Sequence, residues 1–326
     1  MPDIEVILDR KRYEEFVLEN IETTSLYYTP WWLDAMVGQA NWSPYVITSS
    51  TKEAIIPLFE PVPNWIIAPP FCQSGGIVYC SSLCGDNRNN RKALVRRRQL
   101  LESFLESYSD KRFFKLPFST DFSDWLPFYW RGYSSSVRYT YQLSLCGEKE
   151  LLSRESSHIR QKVAIAIKRG WSYSEEVAPQ DFFELLKVLY EKRKIATNLI
   201  PSLERGVSQA LLLQKGFVAG VTSAEGQLLA TAFIVYSGGV GYLIATATHT
   251  CVVDSAPTAY LLHRVLLSLY AQGFTTFDFE GSMLKGVEFL FRSFSPQQVP
   301  LIEISKGKMS IAQRIRLRCY YSKANS

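Results

Sequence analysis

Histidine is scarce in this chain of 326 residues: His158, His249 and His263 are all it has. The six cysteines (Cys72, Cys80, Cys84, Cys146, Cys251 and Cys319) lie far apart and form no C-x-x-C pair. Cys80 and Cys84 can approach each other, but no second pair completes a zinc-type set, so the thiols read as free and largely buried. No metal site is expected, which argues against metallohydrolase chemistry. No apolar run reaches the roughly 20 residues that span a bilayer, so no transmembrane segment is expected. The N-terminal stretch Met1-Pro2-Asp3-Ile4-Glu5 has no secretory apolar region, which sets the cytoplasm as the expected location. Nor is there a linker rich in Gly and Ser, an internal repeat visible by eye, or a G-x-S-x-G nucleophile elbow.

What is present suits a folded protein. Hydrophobic residues make up 47% and charged residues 21%, an ordinary balance that argues against extended disorder. The length allows two domains or one large one, and either can bury a core. The net charge of +5 is uneven. Arg88, Arg91, Lys92, Arg96, Arg97 and Arg98 form one basic cluster; Lys306, Lys308, Arg314, Arg316, Arg318 and Lys323 form another. Such runs either track a phosphate backbone or acidic carrier, or are the solvated faces of helices.

Periodicity gives alternating elements. A strand near Ile4–Leu8 precedes a helix around Arg12–Leu18, and Thr29-Pro30 opens a helix ending near Gly38. Strands are expected at Tyr45–Thr48, Ala54–Phe59, Phe113–Leu116 and Val137–Leu145, with a basic helix over Lys92–Tyr108. In the second half, one helix is expected over Leu151–Arg169, with Ile159, Val163 and Ile167 as its apolar stripe, and another over Phe182–Lys194. Strands at Leu228–Tyr236 and Tyr242–Thr248 flank the turn Ser237-Gly238-Gly239-Val240. A helix over Pro257–Ala271, a strand over Phe274–Glu280 and a helix over Lys285–Phe294 follow.

The richest stretch is Phe277-Asp278-Phe279-Glu280-Gly281-Ser282-Met283, continuing through Lys285 and Arg292 to Phe294. Phe277 and Phe279 alternate with Asp278 and Glu280, the period of a strand with one apolar face. Gly281-Ser282 opens a helix that directs Val287, Phe289, Leu290 and Phe294 to a core and leaves Lys285 and Arg292 free. Carboxylates ending a strand beside a helix start and two cations can hold an anionic or acyl substrate. Spacing alone also fits a solvated strand end followed by an ordinary amphipathic helix.

This run resembles the signature of the FemABX-like branch of the GNAT acyltransferase superfamily, which closes the second of two GNAT-like halves. Three more segments agree in order along nearly the whole chain. Ser25 to Asp34 (SLYYTPWWLD) is similar to the family's N-terminal helix start, Pro69 to Ile77 (PPFCQSGGI) to its glutamine–glycine loop, and Arg138 to Leu143 (RYTYQL) to the strand entering the second half. The resemblance implies a mixed α/β (α+β) architecture of tandem GNAT-like halves. The expected boundaries are 1–145 and 146–299, with residues from about 300 to 326 packing back on the first half. With no flexible linker, the halves are expected to meet near residue 146. The long helical arm of some aminoacyl-transferring members has no room around Asn198–Gly206.

The activity so implied is transfer of an acyl or aminoacyl group to an amine of a cell-envelope or sugar- or peptide-linked acceptor. GNAT-type transfer needs a deprotonated amine, donors for the oxyanion and an acid for the leaving group, all held close; no covalent enzyme intermediate is required. Glu280 and Asp278 are candidates for general base or amine anchor, with pairing to Arg160 or Lys168 as the structural alternative. Tyr242 is the resemblance's acceptor-binding tyrosine, or a core tyrosine. Lys285, Arg292 and Ser282 fall on the donor side, and Tyr27, Trp31, Gln73 and Arg160 on the acceptor side. His249, just beyond the Tyr242 strand, is a candidate proton shuttle or a structural residue.

No cofactor is expected to be bound permanently; acyl-CoA, aminoacyl-tRNA or an acyl-carrier thioester serves as co-substrate. The partners are then a small-molecule or envelope-precursor substrate, with tRNA or an acyl carrier protein as candidates. One departure bears on the donor. Coenzyme-A users carry a glycine-rich loop whose N–H groups grip the pyrophosphate. Here the loop reads Thr250-Cys251-Val252-Val253-Asp254-Ser255-Ala256-Pro257, with no glycine and an anion at Asp254. The competing reading is a degenerate GNAT pair that binds RNA or a carrier protein without catalysis.

Overall fold

A computed structural model describes residues 4–21, 24–49, 51–84, 90–108, 113–193, 197–252, 254–282, 284–309, 314–317 and 320. In chain order the elements are β1 (Glu5–Leu8), α1 (Arg10–Glu19), α2 (Pro30–Val37), β2 (Trp42–Thr48), β3 (Lys52–Val62), β4 (Trp65–Ile67), β5 (Val78–Tyr79), α3 (Arg91–Ser107), β6 (Phe113–Pro117), α4 (Leu126–Trp130) and β7 (Ser134–Ser144). They continue with α5 (Glu148–Arg154), α6 (Ser157–Lys168), β8 (Ser172–Ser174), α7 (Pro179–Arg193), α8 (Ile200–Leu212), β9 (Gly216–Thr222), β10 (Leu228–Ser237), β11 (Val240–Thr248), α9 (Ala256–Ala271), β12 (Thr276–Asp278), α10 (Lys285–Arg292) and β13 (Gln297–Lys306). The chain divides into two compact units. The first comprises Met1–Arg138, Pro201–Gly206 and Pro300–Ser326, the second Tyr139–Ile200 and Val207–Val299.

In the first unit the strand order is β1-β2-β3-β4-β6-β13, with β5 on β3. The pairs are antiparallel except β4 with β6, which run parallel from Trp65↔Phe113 to Ile67↔Lys115. A parallel pair needs a crossover, and α3 lies between the two strands in the chain. The core beneath is aromatic: Phe114, Phe118, Phe122, Phe128 and Tyr133 are buried and meet mostly edge to face. Helix α2 starts with Pro30 in its first turn and stops at Gly38, whose φ of 85° suits glycine. Its last carbonyls, which no helical N–H can reach, accept from Arg205: Nε to Ala35 O at 2.9 Å and Nη2 to Met36 O at 3.1 Å.

The second unit repeats the logic. Its order is β7-β12-β11-β10-β9-β8, antiparallel except for β11 and β12. Here α9 makes the crossover, packing closely enough that a Cβ on Gly241 would stand 2.7 Å from Leu269. The β11–β12 pairing runs only from Val240↔Thr276 to Tyr242↔Asp278, whereas β11 continues to Thr248. Residues 243–248 therefore extend past the end of β12. Phe277, Phe279, Phe291 and Phe294 close the core on this side, with ring centroids 4.8, 5.1 and 5.7 Å apart in successive pairs around Phe279. Each such ring is worth about 1.5–3 kcal/mol in burial.

Several expected elements differ in detail. The single helix over 151–169 is two, α5 and α6, broken at Glu155-Ser156, because Ser156 caps the second by accepting the Ile159 N–H. Ile167 is 66% exposed, and Ala166 takes the buried place instead. On α10, Phe289 is exposed and rests edge-on against His158 at 5.3 Å; Phe291 is the buried residue. Of residues 198–206, those from Ile200 onward form the first half of α8. Lys194, the expected end of α7, lies outside the described residues. Among the described residues no helix is long and apolar enough to cross a membrane.

Candidate active site

The carboxylates at the end of β12 have different surroundings. Asp278 is buried and accepts three hydrogen bonds: from Thr140 Oγ1, from Gln142 Nε2 at 3.0 Å and from the Glu280 N–H at 2.8 Å. Burial pushes its pKa up, and those three donors pull it part of the way back. It is thus a structural anchor that ties β12 to β7 and fixes the turn after it. Neither Arg160 nor Lys168 supplies these bonds; Arg160 sits exposed on α6 and donates to the Glu155 carbonyl.

Glu280 has the opposite character. Its backbone lies in the left-handed region, with φ of 66°, and Gly281 follows at 65°. Gly281 has no alternative residue: a Cβ there would stand 2.1 Å from the Tyr139 carbonyl oxygen. Two consecutive left-handed residues turn the chain off the sheet. They leave Glu280 Oε1 sealed from solvent with no hydrogen-bond partner. Burial alone raises this carboxyl's pKa well above the usual carboxylate range. A non-glycine residue held at positive φ, with one carboxyl oxygen buried and unpartnered, is the kind of cost that clusters at functional sites.

Tyr242 is buried and is the register partner of Asp278, so both side chains leave the same face of the sheet. It is thus brought beside the carboxylate turn, on the strand that outruns β12. Of the donor-side residues, Ser282 accepts the Leu284 N–H at 3.1 Å and so shapes the entry to α10. Lys285 is exposed at the first position of that helix. Arg292 is 65% exposed and pairs with Glu288 at 3.0 Å. Glu288 also accepts from Tyr141 Oη at 3.2 Å, and Gln298 donates to the same hydroxyl at 2.9 Å. Met283, in the middle of the signature run, lies outside the described residues.

The acceptor-side residues of the first unit sit in a braced corner. The Tyr28 hydroxyl donates to the Gly75 carbonyl, the Gly75 N–H donates to Pro117 O at 2.7 Å, and Trp32 Nε1 reaches Phe71 O at 3.4 Å. Gln73 is half-buried in this loop, Trp31 half-buried and Tyr27 buried. Tyr28, Trp32 and the Gly75 backbone hold the corner.

Beyond the end of β11, the N-terminus of α9 is already occupied by its own chain. Asp254 Oδ1 accepts the Ala256 N–H at 2.8 Å, and Oδ2 pairs with Lys162 at 3.3 Å. Burial pushes this carboxyl's pKa up, but the Ala256 N–H, Lys162 and Arg169 outweigh it and leave the pKa below the ordinary value. Val253 of this loop lies outside the described residues. The basic clusters are also partly spent. Arg96 pairs with Glu53, Arg98 with Asp124 at 2.8 Å, and Arg97 is buried. Arg88, Arg318 and Lys323 lie outside the described residues. Among the described residues no group of three or more metal-type ligands occurs.

No protein-family model and no curated protein matches the chain. Solved structures do. FemX is similar over 91% of this chain and 96% of its own, with a TM-score of 0.66 at 14% identity. The fold is that of the FemABX-like branch of tandem GNAT proteins. L-PGS from Bacillus licheniformis matches over 96% of both chains, with a TM-score of 0.54 at 14% identity. A tandem GNAT protein from the clavulanic acid biosynthesis pathway matches over 94% of this chain and all of its own, with a TM-score of 0.53 at 12% identity. In this chain the β11–β12 pair of the second unit, joined by α9, leads into the candidate carboxylates. The likeness at these identities is one of fold.

Proposed function

We propose that this protein transfers an acyl or aminoacyl group to an amine, with Glu280 as the general base. The observation that carries the reading is the Glu280 carboxyl on a left-handed turn at the end of β12, half-buried as a residue but with Oε1 sealed and unpartnered. The FemABX-like fold supports it. Before the acceptor binds, burial favours the neutral acid form of Glu280. An incoming ammonium supplies the missing charge partner, so its binding releases that proton to solvent and leaves a carboxylate–ammonium pair. Glu280 then takes one N–H proton as the nitrogen attacks the acyl carbonyl. The second N–H proton goes to the departing thiolate or alkoxide, and Glu280 returns to its acid form. Tyr242 is assigned to holding the acceptor, Lys285 and Arg292 to the donor, and Asp278 to positioning Glu280.

The donor is proposed to be aminoacyl-tRNA or a carrier thioester rather than acetyl-CoA, because Asp254 occupies the helix N-terminus where a pyrophosphate would sit. The acceptor is proposed to be an amine of an envelope precursor, on the strength of the FemABX-like signature. Acetyl-CoA is expected to bind weakly or not at all. Calorimetry giving a low-micromolar dissociation constant, about −8 kcal/mol, would overturn that donor assignment. The activity itself is tested by thermal-shift screening with acyl-CoAs, charged tRNA and peptidoglycan precursors, followed by transfer assays on the hits. Transfer to an amine that disappears in Glu280→Gln supports the reading; transfer that persists in it refutes the base assignment.

A further inference from the structure

The turn after β11 holds a second chemical constellation that acyl transfer does not use. Cys251 is exposed, and its Sγ lies 2.8 Å from His249 Nδ1. Gln227, from the turn before β10, reaches both: its amide nitrogen is placed 3.3 Å from His249 Nε2, and its amide oxygen 3.9 Å from the sulfur. The backbone settles the tautomer. The Cys251 N–H donates to Nδ1 at 3.2 Å, so Nδ1 carries a lone pair and the ring proton is on Nε2. Two N–H groups would then face each other across the 3.3 Å contact, so the amide is turned over, with its oxygen toward Nε2–H and its nitrogen toward the sulfur. In that arrangement the one Nδ1 lone pair faces both the Cys251 N–H and the thiol, the Gln227 oxygen holds the ring, and the Gln227 N–H faces the sulfur.

A thiol beside a base that is itself oriented by a third group is a nucleophile. We propose that Cys251 is a modification site that reacts with small disulfides by thiol–disulfide exchange, with His249 as its base and Gln227 as a positioning residue. As the sulfur attacks, its proton passes to the His249 Nδ1 lone pair, displacing the Cys251 N–H from it; the Cys251–S–S–R bond forms, the S–S bond of the reagent breaks, and the released R–S thiolate takes the proton from the imidazolium. Oxidation of Cys251 is balanced by reduction of the reagent's second sulfur.

The electrophile's class follows from the chemistry of the thiol. Exchange at a disulfide forms no tetrahedral oxyanion, so it asks no N–H donor of the turn.

Cys146 provides an internal control. It is also exposed, but its sulfur faces oxygen acceptors, the Ser144 carbonyl at 3.8 Å and the Glu150 carboxylate, where Cys251 faces an imidazole. The test treats the full-length protein with oxidised glutathione and follows each cysteine by peptide mass mapping. Cys251 is expected to form the mixed disulfide at least about tenfold faster than Cys146. His249→Ala should bring Cys251 down to the Cys146 rate, and Gln227→Ala to an intermediate one. Both positions are on exposed turns, and unchanged thermal melting confirms that folding is retained. Equal rates at Cys251 and Cys146 in the unaltered protein, or an unchanged Cys251 rate in His249→Ala, would overturn the proposal. Should either variant unfold, the comparison of the two cysteines in the unaltered chain decides alone.

Discussion

Glu280→Gln is expected to lower turnover by about a hundredfold or more, the lower end of what general-base catalysis contributes. The change is nearly isosteric, so the fold stays. It should also flatten the dependence of stability on pH. The folded-state pKa of Glu280 is raised above its ordinary 4.5, so over the window above that value the folded chain holds a proton that the unfolded chain has released. Stability contributed by this group is present in full below pH 4.5 and is lost as pH rises through the folded-state value. The loss has a limiting slope of about 1.4 kcal/mol per pH unit. Asp278, with a raised pKa of its own, adds a slope of the same sign that the Gln variant keeps. Urea midpoints at pH 5 and pH 8 check this: the unaltered protein should lose more stability between them than Glu280→Gln does. Identical slopes would mean that the carboxyl is ionised throughout.

The second large effect is expected at Asp278. Replacing it by Ala leaves the Thr140 hydroxyl, the Gln142 amide and the Glu280 N–H without their shared acceptor in a buried place. Hydrogen bonds to a charged group are worth about 1.5–3 kcal/mol each, so a loss of about 3 kcal/mol or more is expected, read as a fall in urea midpoint at constant slope. Turnover should fall with it, because the N–H bond to Asp278 is what holds the left-handed Glu280 backbone. Asp278→Asn should recover part of the stability, since one amide oxygen replaces two carboxylate oxygens and the amide NH2 meets a donor. If Asp278→Ala kept full stability, Asp278 would not be the anchor.

Much of this arrangement was legible in the residues. The alternation of Phe277 and Phe279 with Asp278 and Glu280 gave the strand and its apolar face, and Gly281 marked the turn. What period 2 did not reveal is that the two carboxylates part company. That depends on Thr140 and Gln142, which sit two apart on the strand 138–143 that the sequence already singled out. Their polar alternation was the available signal, but only the antiparallel register Asp278↔Gln142 brings it to Asp278. The misplacement of Phe289 has a different cause. Phe289 and Phe291 lie about 200° apart around a helix, so one stripe cannot hold both; the i, i+3, i+4, i+7 spacing of Val287, Leu290, Phe291 and Phe294 selects Phe291, which packs on Phe279. The break between α5 and α6 is local chemistry: Glu155-Ser156 reads as helix by propensity, yet Ser156 gains more as a cap. The glycine-free loop at 250–257 was read as hostile to phosphate, and Asp254 capping α9 supplies the physical reason.

Infrared difference spectroscopy of the unaltered protein against Glu280→Gln at pH 7 tests the central claim most directly. The expected difference is the carbonyl stretch of a protonated carboxylic acid. On addition of the amine acceptor found in the transfer screen, it should give way to carboxylate bands with release of a proton to the buffer. A carboxylate signal already present in the free protein, unchanged by the amine, would contradict the assignment of Glu280 as the buried base.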